Sequence, residues 1–171
     1  MTDFTIPAPL WRRLAAACYD GLLLFAVWMV TLLVGLMARQ LLGVERNDHV
    51  NALCLFLAGL AFFGWSWTHG GQTLGMRSWR LRVQRQDGSP LRWPVAALRY
   101  AAMLLGWGLA LTAPLLATLP AKIRPPHCEE VMLAAVLLTA LSLLLVAFDS
   151  RRRAFYDRLT STEVVVLPRQ A

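Results

Sequence analysis

Four long apolar stretches, broken by short arginine-rich connections, constrain this chain more than any other feature. They run from about Leu14 to Ala38, Val50 to Thr68, Pro94 to Leu119 and Val131 to Phe148. Each is near or above the roughly 18 apolar residues that a bilayer-crossing helix needs. The runs are continuous rather than alternating, so they read as helices, not barrel strands. In lipid only those two architectures satisfy every backbone N–H and C=O. Hydrophobic residues make up 57% of the 171 positions and charged residues 16%. A soluble domain sits nearer about 45–50% and 25%, and one of this size could not bury the excess. The expected fold is therefore an all-α membrane protein: one domain spanning residues 1–171, with four transmembrane helices.

The formal net charge is +7. In a soluble chain such a balance would point to nucleic acid. Here the arginines gather between apolar runs, so no nucleic-acid partner is expected, and the bilayer is the expected partner. Arg12 and Arg13 precede the first run, and Arg77, Arg80, Arg82, Arg85 and Arg92 fill the second connection against Asp87 alone. Arg151, Arg152, Arg153, Arg158 and Arg169 follow the fourth run. The first and third connections are nearly balanced, with Arg39 and Arg46 against Glu45 and Asp48, and Lys122 and Arg124 against Glu129 and Glu130. Excess Lys and Arg marks the cytoplasmic side. All three rich segments share one side only if four helices cross, which predicts both termini in the cytoplasm. The first run is longer than the roughly 7–15 residues of a signal-peptide core and carries Asp20, so it reads as an uncleaved span.

Tryptophan favours the headgroup layer. Trp11, Trp65, Trp67, Trp79 and Trp93 fall near the expected cytoplasmic interface, while Trp28 and Trp107 lie deeper and are expected between helices. Residues Thr73 to Arg80 mix apolar and basic side chains, as a short surface helix would. Leu81-Arg82-Val83-Gln84 alternates before an Asp87-Gly88 turn signal, and Glu163-Val164-Val165-Val166-Leu167 has similar β character. These two stretches are expected to pair in a small cytoplasmic cap. Pro94 suits the first helical turn. Ala102, Gly106 and Ala110 form a small-residue stripe on which another helix could approach closely.

Asp20 is the most informative residue for function. It lies about two turns into the first helix, roughly 9–10 Å along the axis from Leu14. An ionised carboxylate there is costly unless it is paired or hydrated, which makes it a functional candidate. Arg99, five residues past Pro94, enters at similar depth and is its expected partner. Arg13, seven residues before Asp20, is the other candidate. Two readings stay open. One is a static ion pair that fixes helix register, the other a carboxylate that titrates during ion or proton movement. No enzymatic constellation of nucleophile and base is readable, no cofactor motif occurs, and no metal site is expected. His127-Cys128-Glu129-Glu130 matches no zinc spacing, Gly70-Gly71-Gln72-Thr73-Leu74-Gly75 lacks the Lys-Ser/Thr of a phosphate loop, and Cys18, Cys54 and Cys128 form no disulfide pattern.

Four segments in fixed order carry a family resemblance. They are Arg13-Leu14-Ala15-Ala16-Ala17-Cys18-Tyr19-Asp20; Gly71-Gln72-Thr73-Leu74-Gly75-Met76-Arg77 with the following Leu81-Arg82-Val83 and Asp87-Gly88; Leu98-Arg99-Tyr100; and Arg151 to Val166 with Asp157 and Thr162. With these the chain resembles the RDD family of bacterial membrane proteins, named for one arginine and two aspartates. The resemblance implies Arg13, Asp20 and Asp157 as signature residues, with Asp87 the alternative for the second aspartate. It implies the bacterial inner membrane, and transport, with some relatives exchanging sodium or other monovalent cations for protons. Two departures are visible: Met76 stands where the family often has lysine, and Tyr156 where it often has histidine. A four-helix bundle is narrow, so a working pathway implies a homo-oligomer. The competing expectation is a non-catalytic accessory or scaffold protein that docks a partner.

Overall fold

A computed structural model describes residues 6–168 of the chain, which leaves Arg169 outside the described residues. Four of its helices are long and apolar enough to cross a membrane: α1 (Leu10–Leu42), α2 (Asp48–His69), α4 (Trp93–Thr118) and α5 (Cys128–Phe148). Two short helices, α3 (Leu74–Ser78) and α6 (Phe155–Leu159), flank them. Three short strands complete the fold: β1 (Ile6–Pro7), β2 (Leu81–Arg85) and β3 (Thr162–Val166). This is a membrane protein built on a helical frame with a small sheet.

Local chemistry sets the helix ends. The 33 residues of α1 rise about 50 Å, beyond the roughly 30 Å hydrocarbon layer, so α1 starts and ends outside the apolar run. Its last turn closes on Gly43, whose φ of 65° satisfies a free carbonyl through a left-handed cap. Asn47 caps α2 by accepting from the N–H groups of His49 and Val50. Pro94 stands in the first turn of α4, where a missing N–H costs nothing.

β2 and β3 pair antiparallel, with Gln84 opposite Glu163 and Arg82 opposite Val165, as the two alternating stretches predict. β1 adds to the far edge of β3, giving the order β1-β3-β2. A two-residue strand carries too little pattern to be foreseen. The sheet joins the segment before α1, the segment between α2 and α4, and the segment after α5. All three therefore lie at one end of the helices, the end that holds the arginine-rich connections.

α1 packs on α2 and α3, α2 on α4, and α4 on α5 and α6. The densest packing sits at the sheet end, where Phe63, Trp67, Leu81, Val83, Ala96, Tyr100 and Val164 are buried together. The Phe63 ring lies 5.1 Å from Trp67 and 5.6 Å from Tyr100, centroid to centroid. Trp28 donates to the Leu55 carbonyl at 3.0 Å, and Trp107 lies against Gly21, so both pack between helices as expected. Trp67, expected near the interface, is buried at the sheet end beneath Arg99. The small-residue stripe differs too: Ala102 is buried, but Gly106 and Ala110 are exposed. The outer faces of α1 and α5, including Leu22, Phe25, Val30, Leu137 and Leu141, are bare in the isolated chain and suit lipid contact.

The register is open to direct test. With Cys18, Cys54 and Cys128 replaced by serine, Gln84→Cys and Glu163→Cys should form a disulfide on mild oxidation. Gln84→Cys with Val166→Cys should not, because a bridge needs Cα atoms within about 7 Å. Gel mobility under non-reducing conditions reads the difference.

Candidate functional site

Asp157 lies in the first turn of α6 and is fully buried. One carboxylate oxygen accepts from the backbone N–H of Ala154 at 2.8 Å, half of a capping box. The same oxygen takes the Arg13 guanidinium. The other lies 2.5 Å from Arg99 Nη1. Arg13 also donates to the carbonyl of Arg152, and Arg99 to the hydroxyl of Thr162. The Arg99 guanidinium lies 5.2 Å from the Trp67 ring centre and 5.0 Å from that of Tyr156, within cation–π range of both faces. One carboxylate thus ties α1, α4 and the segment after α5 together.

Burial pushes the Asp157 pKa up, but the charges of Arg99 and Arg13, with hydrogen bonds from Arg13 and Ala154, outweigh it and hold the group below the usual carboxylate range. It stays ionised and does not trade protons near neutral pH. Asp149, just past α5, forms a second clamp. It binds the Arg153 side chain and backbone N–H and lies 3.2 Å from Arg158. Those hydrogen bonds from Arg153 bring its pKa down to about 2.

Asp20 is 3% exposed and makes no ion pair among the described residues. The expected pairing with Arg99 is not formed, because Asp157 holds both Arg99 and the alternative partner Arg13. Instead Asp20 accepts from the Thr73 hydroxyl at 2.5 Å and from the Gly75 N–H at 3.0 Å. These bonds fasten the segment before α3 onto α1. They also explain its composition. Gly71 has a φ of 68°, and a Cβ there would stand 2.6 Å from the Val83 carbonyl. Gln72 donates to the Leu81 carbonyl at 2.7 Å. Thr73 caps α3 by accepting from Met76 N–H while donating to Asp20. A Cβ on Gly75 would meet the Ala16 carbonyl at 2.5 Å and the Asp20 carboxylate at 2.8 Å.

Asp20, Arg13 and Arg99 border a largely apolar cavity of about 40 Å³, lined also by Trp67, Met76 and Tyr156. That is room for a few waters. Met76 and Tyr156, the two departures from the resembled pattern, both border it. Arg99 Nε and Trp67 Nε1 are buried without protein partners, which fits a hydrated space. Thus Arg13, Asp20, Arg99 and Asp157 converge on one site, and Asp87 stays apart in the exposed turn after β2, bonded to Ser89. Sequence reasoning missed Thr73, Gly75, Trp67 and Asp149 as partners. The Gly71-Gln72-Thr73-Leu74-Gly75 segment was the available signal for the first two, though nothing local in it names Asp20 as their partner.

The RDD family profile matches residues 7–161. No curated protein and no solved structure matches the chain. The match spans most of the sequence, and the chain belongs to the RDD family.

Asp157→Asn leaves two buried guanidinium groups short of a counter-charge and should cost about 3–5 kcal/mol, read as a lowered melting midpoint in detergent. Both clamp carboxylates have depressed pKa values, so their stabilisation is complete above the unfolded carboxylate range and is lost as pH falls through the folded values. For Asp149 that window runs from about 4 down to about 2. Melting midpoints should therefore hold steady near neutral pH and fall below about pH 4, and Asp149→Asn should flatten part of that fall.

Proposed function

We propose that this RDD family protein is a multi-pass carrier of the bacterial inner membrane that exchanges a monovalent cation for a proton at Asp20. One observation carries the reading: among the described residues, buried Asp157 is locked between arginines, while buried Asp20 has no ion-pair partner and borders a small cavity. Carriers that couple ions to protons use an intramembrane carboxylate that titrates. Arg13 and Arg99 balance Asp157 and ionised Asp20 in charge. Binding either a proton or a monovalent cation at Asp20 changes that balance by the same single charge, so the two can replace one another.

The fold and the arginines together support one orientation. β1, β2 and β3 collect both chain ends and the second connection at one end of the helices, and by the positive-inside tendency that end is cytoplasmic. The bare apolar faces of α1 and α5 leave room for a second copy, and four helices alone enclose little, so the carrier is a homo-oligomer in this reading. No enzymatic reaction and no cofactor are assigned.

A second reading, an accessory protein without transport, draws on the exposed basic surface of Arg77, Arg82 and Arg92, which would suit an acidic partner. Flux measurements separate the two. Purified protein in liposomes under a pH gradient should move protons when sodium, potassium or lithium is added, and Asp20→Asn should abolish that movement while eluting as a folded particle in detergent. Absence of flux with every cation would remove the carrier reading and leave the accessory one.

A further inference from the structure

The arginines of this protein sort by what holds them. At the end of the helices away from the sheet, Arg39 donates to Asn51 and Arg46 to Asp48, each at 2.7 Å, and Arg124 caps the carbonyls of Leu119 and Ala117. At the sheet end, Arg13, Arg99, Arg153 and Arg158 all have carboxylate partners. Among the described residues Arg12, Arg77, Arg80, Arg82, Arg85, Arg92 and Arg152 have no ion-pair partner. Three of these, Arg12, Arg77 and Arg80, neighbour the two members of one aromatic pair in the chain. The Trp11 and Trp79 rings meet edge to face at 5.4 Å, Arg12 lies over the Trp11 ring at 5.2 Å, and Arg77 and Arg80 flank Trp79 in the chain.

The position of this patch suits a ligand of one kind. Trp11 is in the first turn of α1, and α3 packs on α1. Leu14 and Leu74 stay exposed beside it, 49% and 55% accessible, as side chains entering lipid would. Indole rings favour the glycerol and headgroup level, the level at which a neighbouring guanidinium group could meet a lipid phosphate. Arg80 is held in place: its φ is 55° and its carbonyl accepts the Leu167 N–H at 2.8 Å. An arginine offers paired donors in a fixed fork that matches a phosphate.

We propose that Arg12, Arg77 and Arg80, around the Trp11–Trp79 pair, form a binding site for the headgroup of an anionic phospholipid. Trp11 and Trp79 carry the glycerol region, Leu14 and Leu74 touch the acyl chains, and the three arginines surround the phosphate, whose negative charge no headgroup cation offsets. The lipid thereby clamps α3, and through Thr73 and Gly75 the loop that covers Asp20, against α1. The site does not depend on the carrier reading, since its test involves no flux.

The test uses full-length protein in phosphatidylcholine nanodiscs, with phosphatidylglycerol replacing the neutral lipid stepwise, and reads the melting midpoint. Bound lipid stabilises by mass action, so the midpoint should rise with the anionic fraction. The Arg12→Gln/Arg77→Gln/Arg80→Gln variant should lose that rise, and each single variant should weaken apparent affinity roughly fivefold. An Arg39→Gln/Arg124→Gln control at the opposite end should keep the rise. Mass spectrometry of the detergent-purified protein should find phosphatidylglycerol retained by the wild type and depleted from the triple variant. Equal stabilisation of the triple variant would overturn the proposal in favour of diffuse surface attraction. No effect of phosphatidylglycerol on any form would overturn it outright. An equal rise with inorganic phosphate in neutral nanodiscs would assign the arginines to a free anion instead.

Discussion

The fold depends on one buried carboxylate shared by two guanidinium groups. Asp157 is fully enclosed, and its two oxygens take Arg13 from the first helix and Arg99 from the fourth. Each charge would be prohibitive alone in this setting. Together, and with Thr162, Ala154, Trp67 and Tyr156 completing the shell, they satisfy one another. Removing any one member leaves the others buried and unbalanced, so the cluster acts as a unit. Because its members come from the start, the middle and the end of the chain, it also decides how the three arginine-rich segments meet.

That clamp leaves Asp20 without a direct ion-pair contact among the described residues. Its carboxylate is spent on the Thr73 hydroxyl and the Gly75 N–H, bonds that dock a loop rather than balance an arginine. Asp20 also borders a small, largely apolar cavity that Arg13 and Arg99 line as well. The two buried aspartates therefore differ in their surroundings: Asp157 is held between two guanidinium groups, and Asp20 accepts from a hydroxyl and a backbone N–H.

Packing is uneven along the helices for a related reason. Trp67, Tyr100 and Phe63 concentrate where the sheet closes over the helix ends, and the shafts of α1 and α5 keep most of their apolar surface outward. A soluble protein could not leave those faces bare. In lipid they cost nothing, so the protein invests its specific contacts at the sheet end, where polar side chains, strands and water meet.

Much of this was legible in the sequence. Hydrocarbon-length runs required four spans, the alternation at Leu81–Gln84 and Glu163–Leu167 required strands, and the arginine spacing put three segments on one side. An aspartate at position 20 and arginines at 13 and 99 marked the site. What the sequence did not determine was who partners whom. Arg13 and Asp157 are 144 positions apart, and depth along a helix gives no information about a carboxylate arriving from outside the span. The β2–β3 register and the short α6 bring Asp157 in, and only then is Arg99 unavailable to Asp20. Local pattern reports which side chains cannot be left alone in lipid; the three-dimensional arrangement chooses their neighbours, because that choice rests on long-range contacts with no local trace.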